Sequence, residues 1–344
     1  MSKGRPKHLI IPIFIPNQGC PHRCVFCEQE RITSQVGVSV DGKHVKGVLD
    51  RAIHTTDFNR QIDPEVAFFG GTFTRLPKYR IRELLEAVKP YIQEGLFRSI
   101  RVSTRPDALD DQRLELMKSY GVLTVELGAQ SMDNEVLALC KRGHTAEDTI
   151  NAVSLLRAWD FRVGIQLMPG LPGDSEKGIH ATISEVIKLH PDMVRLYPTL
   201  VIQGTELARW YKEGRYRPMS LDKAVDICME SCIRLESNGI PVIRIGLMSS
   251  PSLLEKGQIV AGPWHPAFGF LVRSGIHQKG IEQDLPRPGE ASGIKIHAPK
   301  REIPLLRGYK NLGLEWIERK TGARINAIET DDSIPPGRVI IEKL

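Results

Sequence analysis

The sequence predicts an α/β fold: a complete or partial β/α (TIM-like) barrel followed by a small α+β unit. Three observations predict it. Short apolar runs rich in β-branched and aromatic residues alternate with amphipathic, helix-length stretches from residue 9 to about 246. Strands separated by helix-length connections pair in parallel, with the helices as crossovers. Several runs end in glycine and hydroxyl residues, at the strand end where such barrels carry their chemistry.

The strands are read at 9–15, 66–69, 100–103, 124–127, 163–167, 193–196 and 242–245. Helices are read between them at 43–54, 79–94, 110–119, 146–158, 175–189 and 221–238, with a short one at 133–140. The polar tails are Gly70-Gly71-Thr72, Ser103-Thr104-Arg105, Gly128-Ala129-Gln130 and Met168-Pro169-Gly170. The barrel takes residues 1–250. Residues 251–292 are read as a connector packing on it, because seven glycines and four prolines fall within 257–293. The α+β unit is 293–344.

The 344 residues are 41% apolar and 26% charged, globular proportions that exclude wholesale disorder. A net charge of +6 permits an anionic partner without requiring one. No apolar run approaches the roughly 20 residues that span a bilayer, so no membrane association is expected. A basic stretch over 1–8 precedes the apolar run, as in a leader. Pro12 and Pro16 interrupt that run, however, and Asn17-Gln18-Gly19 is a poor cleavage site. A buried strand and a cytoplasmic location are expected.

Cys20, Cys24 and Cys27 stand in a C-x3-C-x2-C pattern directly after the first strand. Six cysteines are too few for a disulfide scaffold, and bunching of this kind favours a metal or cluster site. Three thiolates from one loop can ligate three irons of a [4Fe–4S] cube and leave the fourth iron to a chelating small molecule. Zinc would need a fourth ligand, with His22 the nearby nitrogen. A redox pair, Cys24 with Cys27, would not need Cys20. Three inert buried cysteines fit poorly with the Pro, His and Arg between them.

With Phe26 before its last cysteine, this loop resembles that of the radical SAM enzymes, and the resemblance extends over about residues 8–250. It implies a [4Fe–4S] cluster on Cys20, Cys24 and Cys27, S-adenosylmethionine on the fourth iron, and an external electron donor such as flavodoxin or ferredoxin. The order of Gly70–Thr74, Thr104–Asp107, Glu126–Ser131, Arg142–Thr145, Met168–Gly173 and Arg195–Thr199 is similar to the radical SAM half of the Elongator catalytic subunit. That group modifies wobble uridine in tRNA, and oxygen-independent coproporphyrinogen oxidase is a more distant relative. The Elongator subunit has a wider first cysteine gap. It also carries an acetyltransferase domain, for which residues 293–344 offer neither length nor pattern.

The resemblance places Phe26 beside the adenine and gives Ser103, Gln130, Arg142 and Gln166 to ribose or carboxylate. Gly70 and Gly71 would let the backbone approach the methionine amino group, and Thr72 would add a hydroxyl. Arg142 suits a carboxylate because its fork is permanently charged. Glu126 and Tyr197 could face the substrate or relay a proton; either could equally be structural. His144 begins no recognisable metal set. Cys140, Cys228 and Cys232 read as core.

From residue 293 the pattern is strand 294–297, helix 301–306, turn 308–311, helix 312–320, strand 323–328, strand 338–342. This order resembles a minimal KH RNA-binding unit, in which a GXXG loop holds the backbone. Here Asn311 stands for the second glycine. Residues 300–324 hold seven Lys/Arg against three Asp/Glu, and Lys300, Arg301 and Lys310 are the candidate RNA contacts. The plain alternative is a solvated charged cap. Radical chemistry on tRNA is thus the leading reading. Radical chemistry on a small molecule or tetrapyrrole, or a non-catalytic iron–sulfur RNA-binding module, are the alternatives.

Overall fold

The structure, a computed structural model, describes residues 9–35, 37, 40–55, 58 and 63–344. The basic stretch over 1–8 lies outside the described residues. In chain order the elements are β1 (Ile10–Phe14), α1 (Gln29–Thr33), α2 (Gly42–Ile53), β2 (Glu65–Phe69), α3 (Lys78–Gln93), β3 (Ser99–Thr104) and α4 (Asp111–Ser119). There follow β4 (Val122–Gln130), α5 (Asn134–Leu139), α6 (Ala146–Ala158), β5 (Arg162–Leu167), α7 (Glu176–Leu189) and β6 (Met193–Leu196). Next come β7 (Val201–Ile202), α8 (Glu206–Lys212), α9 (Leu221–Ser237), β8 (Val242–Ile245), α10 (Pro251–Leu254), β9 (Ile259–Ala261) and α11 (Phe268–Ile281). The last are β10 (Gly293–Ala298), α12 (Ile303–Arg307), α13 (Leu312–Thr321), β11 (Arg324–Thr330) and β12 (Ile340–Lys343).

The chain divides into two compact units, Met1–Met219 with Leu235–Pro263, and Ser220–Arg234 with Trp264–Leu344. In the first, seven parallel strands run in the order β1-β2-β3-β4-β5-β6-β8. The sheet curls but does not close, so the barrel is a partial one. Helix starts are set by side chains that accept the first free N–H groups: Asp110, Asp133 and Ser175 cap α4, α5 and α7, and Thr145 with Asp148 forms a capping box on α6.

The two faces of this sheet differ in kind. One is apolar: Val66, Phe68, Ile100, Val102, Val125, Leu127, Val163, Ile165, Val194 and Leu196 are at most 1% exposed. The other carries Glu65, Ser99, Arg101, Glu126 and Arg195. Ser99 donates to Glu65 at 2.6 Å, and Arg101 bridges Glu65 and Glu126, each at 2.6 Å. Arg195 Nη2 donates to Glu126 at 2.9 Å, and Arg195 Nη1 to the Tyr197 hydroxyl at 3.1 Å. Gly164 makes room for this ladder, since a Cβ there would stand 2.9 Å from the Glu126 Cγ. Two guanidiniums balance two carboxylates, so the buried set carries no net charge.

The stretch read as a connector contains regular structure, above all the 14-residue α11. Its glycines read as loop punctuation in the sequence. Gly275 instead lets α11 pack closely, because a Cβ there would stand 2.2 Å from the Met229 Sδ. In the second unit, β10 pairs parallel with β11 and antiparallel with β12, giving the order β11-β10-β12. Ile294, Ile296, Leu306, Ile317 and Val339 fill its core.

Candidate active site

The loop after β1 holds the three cysteines, all free thiols. Main-chain bonds fix it from both flanks: the Val25 N–H donates to the Cys140 carbonyl at 3.2 Å, and the Leu207 N–H to the Val25 carbonyl at 2.7 Å. Phe26, 9% exposed, packs with Cys24, Val25, Val136, Leu171 and Trp210. The aromatic that the resemblance would set beside an adenine is an anchor for the loop in this structure.

Each sulfur has a different neighbour. Cys20 Sγ lies 3.4 Å from Thr72 Oγ1, Cys24 Sγ accepts from Arg142 Nη1 at 3.0 Å, and Cys27 Sγ faces Asn17 Oδ1 at 3.8 Å. Burial raises the Cys20 thiol, partly offset by its bond to Thr72. Burial, then the neighbouring Cys24 and Cys20, pushes Cys27 up to about 12. The three are therefore near enough for charge on one to oppose charge on the next. Such thiols ionise when a cation arrives, as metal ligands do.

The loop fits a cluster. Asn17 Nδ2 and Arg142 Nε are buried with no partner among the described residues, as groups awaiting a ligand would be. No three His, Cys, Asp or Glu among the described residues gather as around a single ion.

The shelf beside the loop is the tail of β2. Thr72 is fully buried and its N–H donates to the Gln18 carbonyl at 2.7 Å. Gly71 has φ +60, and a Cβ there would stand 2.3 Å from the Gln18 carbonyl oxygen and 2.7 Å from that of Ile15. Its bare face is therefore occupied by the chain itself, so glycine is required here before any cofactor is considered. Gly70, at φ +79, has the Gln29 Oε1 as nearest neighbour, 3.2 Å from a built Cβ. Gln29 escaped the sequence reading. Its Oε1 accepts from the Asn17 N–H at 2.6 Å and the Gly71 N–H at 2.7 Å, tying the loop to the shelf.

The remaining candidates sit on successive strand ends. Ser103 is near the end of β3. Gln130 closes β4 at φ 72, where the register with β5 shifts, and its Oε1 accepts from Gln166 Nε2 at 3.1 Å. Arg142 follows α5, and Tyr197 follows β6. Glu126 lies deeper, between Arg101 and Arg195, where it serves the ladder.

Beneath the loop, Arg105 grips Asp107 with two bonds of 2.8 and 3.1 Å. Burial pushes the Asp107 carboxyl up, but these bonds and the charges of Arg105 and Arg75 outweigh it and hold it below the usual range. His144 is 5% exposed, with Nε2 at 3.2 Å from the Ala129 carbonyl. Burial, then Arg142 and Arg105, lowers it to about 4. The Arg105–Asp107 pair lies within the Thr104–Asp107 run, whereas His22 and Arg105, 3.4 Å apart at their nitrogens, stand 83 residues apart, and no local motif announces that contact.

In the second unit, Lys310 and Asn311 are both left-handed, at φ 52 and 68, in the turn after Gly308. Lys310 is exposed, with its Nζ 5.6 Å from the centre of the Tyr309 ring. Lys300 and Arg301 are exposed after β10. A groove of about 360 Å³ runs between α13 and the edge strand β11, lined by Arg307, Asn311, Leu314, Ile325, Asn326 and Ile328 among others.

A cysteine-rich loop at the C-terminal ends of a partial parallel barrel defines the class. The Radical SAM superfamily description matches residues 14–186, half of the chain, and the Radical_SAM C-terminal domain matches residues 191–278. The chain belongs to the radical SAM superfamily and is an enzyme of that family. The tRNA uridine(34) acetyltransferase of Methanocaldococcus jannaschii is 31% identical over 255 residues, covering 63% of this chain and 47% of that protein. The chain spans about half the length of such curated relatives. An uncharacterized protein of the same organism is 26% identical over 86% of this chain and 89% of its own length. Among solved structures, archaeal Methanocaldococcus infernus Elp3 superposes with a TM-score of 0.61 at 26% identity, covering 79% of this chain and 63% of that one.

Proposed function

We propose that this chain reductively cleaves S-adenosylmethionine at a [4Fe–4S] cluster on Cys20, Cys24 and Cys27, and uses the radical to modify tRNA at the wobble uridine. The observation that carries the reading is the cysteine loop itself, bound through Gln29 to the Gly71 shelf and through Arg142 to the end of β4. When bound, the cluster supplies the one-electron reduction that splits the sulfonium and yields a 5′-deoxyadenosyl radical. The chain's own groups bind and orient. Phe26, Gly70, Gly71, Thr72, Ser103, Gln130, Arg142 and Gln166 surround the cofactor, and the left-handed turn with Lys300, Arg301 and Lys310 grips RNA phosphates. The Tyr197 hydroxyl, accepting from Arg195, keeps its own proton free to donate. An external one-electron donor such as flavodoxin or ferredoxin completes the cycle.

The choice of tRNA is supported by relatives named for tRNA uridine(34) and by the basic turn of the second unit. Nucleoside mass spectrometry of tRNA from a deletion strain beside wild type tests it. A modified uridine should vanish and return with the wild-type gene but not with Cys24→Ala. Identical nucleoside profiles would overturn the substrate. Lys310→Glu should weaken tRNA binding in gel shifts, most at low salt.

A further inference from the structure

Arg142 holds the cysteine loop in two ways at once. Its side chain donates from Nη1 to Cys24 Sγ at 3.0 Å and from Nη2 to the Gly128 carbonyl at 2.5 Å. Its main-chain carbonyl lies 3.2 Å from His22 Nε2, inside the same loop. The neighbouring Gly143 gives the His22 ring its place, since a Cβ at 143 would stand 2.5 Å from His22 Cε1. Arg142 is 7% exposed and Cys24 9%. The bond from Nη2 to the Gly128 carbonyl, near the end of β4, is a second anchor that holds the guanidinium against the sulfur.

The three sulfurs are thereby made unequal. Cys20 faces a neutral hydroxyl and Cys27 a neutral amide, whereas Cys24 faces a full positive charge. We infer that Arg142 is a positioning residue that sets the reduction potential of the cluster through the Cys24 sulfur. This rests on the cluster reading above and goes beyond the carboxylate role the sequence suggested. The bonds to Cys24 and Gly128 take one N–H each of Nη1 and Nη2, and the buried Nε has no hydrogen-bond partner among the described residues, so donors remain for a carboxylate while the sulfur is held.

The physical argument is the charge change on reduction. One added electron makes the cluster with its thiolates one unit more negative. A fixed cation and an N–H donor at a buried sulfur stabilise the reduced form more than the oxidised one. Removing the guanidinium therefore makes reduction harder and drives the midpoint more negative. The sign is useful to an enzyme that must be reduced by an ordinary donor.

The test is an EPR-monitored redox titration of the full, anaerobically reconstituted chain without S-adenosylmethionine, with iron counted in every sample. Leaving out that cofactor removes the carboxylate role from the measurement. Arg142→Met should show wild-type iron and a reduction equilibrium at least tenfold less favourable, a shift of about 59 mV for one electron. Arg142→Lys, which keeps the charge and loses the fork, should fall between. If the methionine variant does not hold iron, Arg142→Gln takes its place, with the same threshold. An iron-loaded neutral variant at the wild-type midpoint overturns the inference and leaves the cluster reading standing. A wild-type chain that binds zinc and no iron overturns both.

Discussion

Glu126→Gln separates a structural carboxylate from a catalytic one. The Glu126 side chain is 5% exposed and lies between two guanidiniums. Arg101 Nη1 donates to its Oε1 at 2.6 Å. Arg195 approaches from the other side, Nη2 to Oε1 and Nε to Oε2, both at 2.9 Å. Arg101 continues to Glu65, so the substitution leaves two guanidiniums against one carboxylate, and that one is held by Arg101. It also turns an amide N–H toward a guanidinium N–H. Breaking a buried pair by removing one partner costs about 3–5 kcal/mol, and glutamine keeps one acceptor, so about 3 kcal/mol is expected. At about 2–4 °C per kcal/mol for a unit of this size, the melting temperature should fall by roughly 6–12 °C. Circular dichroism melts of the iron-free chain measure this without any chemistry, and urea midpoints replace them if melting is irreversible. A variant that melts with the wild type yet loses turnover refutes the reasoning, and returns Glu126 to facing the substrate or relaying a proton.

Gly71→Ala should both destabilise the chain and reduce iron loading. Its Cβ meets the Gln18 and Ile15 carbonyls, and φ +60 adds strain on the order of 1–3 kcal/mol; normal iron content in this variant would show that the shelf yields freely. His144 and Asp174 should impose opposite pH dependences. His144, lowered to about 4 mainly by burial, refuses in the fold a proton that the unfolded chain takes below 6.5, so its contribution to stability grows as pH rises from about 4 to 6.5. Asp174, raised mainly by burial to about 6, keeps in the fold a proton that the unfolded chain releases above 3.8, so its contribution shrinks as pH rises from about 4 to 6. Asp174→Asn should therefore expose a urea midpoint that climbs across this range; a profile parallel to wild type would count against the assignment.

The strands were legible through their apolar face and obscured by their other one. Sequence windows began β2 at Val66 and β3 at Ile100, because Glu65 and Ser99 look like loop residues beside them. In the structure both belong to strands and point into a buried ionic ladder. The same effect shortened β4, whose Gly128 and Gln130 read as a tail but remain in the strand past a register shift. The cysteine loop was legible because its three thiols lie within eight residues, and side chains drawn from one loop leave a local pattern. The groups that hold that loop left none: Arg142 is 118 residues from Cys24, and Gln29 is 42 from Gly71. Glu126 shows the consequence most clearly. Its motif neighbours made it a candidate for chemistry, while the partners that occupy it, Arg101 and Arg195, stand 25 and 69 residues away on other strands. Only strand pairing brings them together: β3 sets Ser103 beside Glu126, and β5 sets Gly164, with no side chain to intrude, on its other flank. The carboxylate that looks free in a one-dimensional reading is the one for which the sheet supplies two cations.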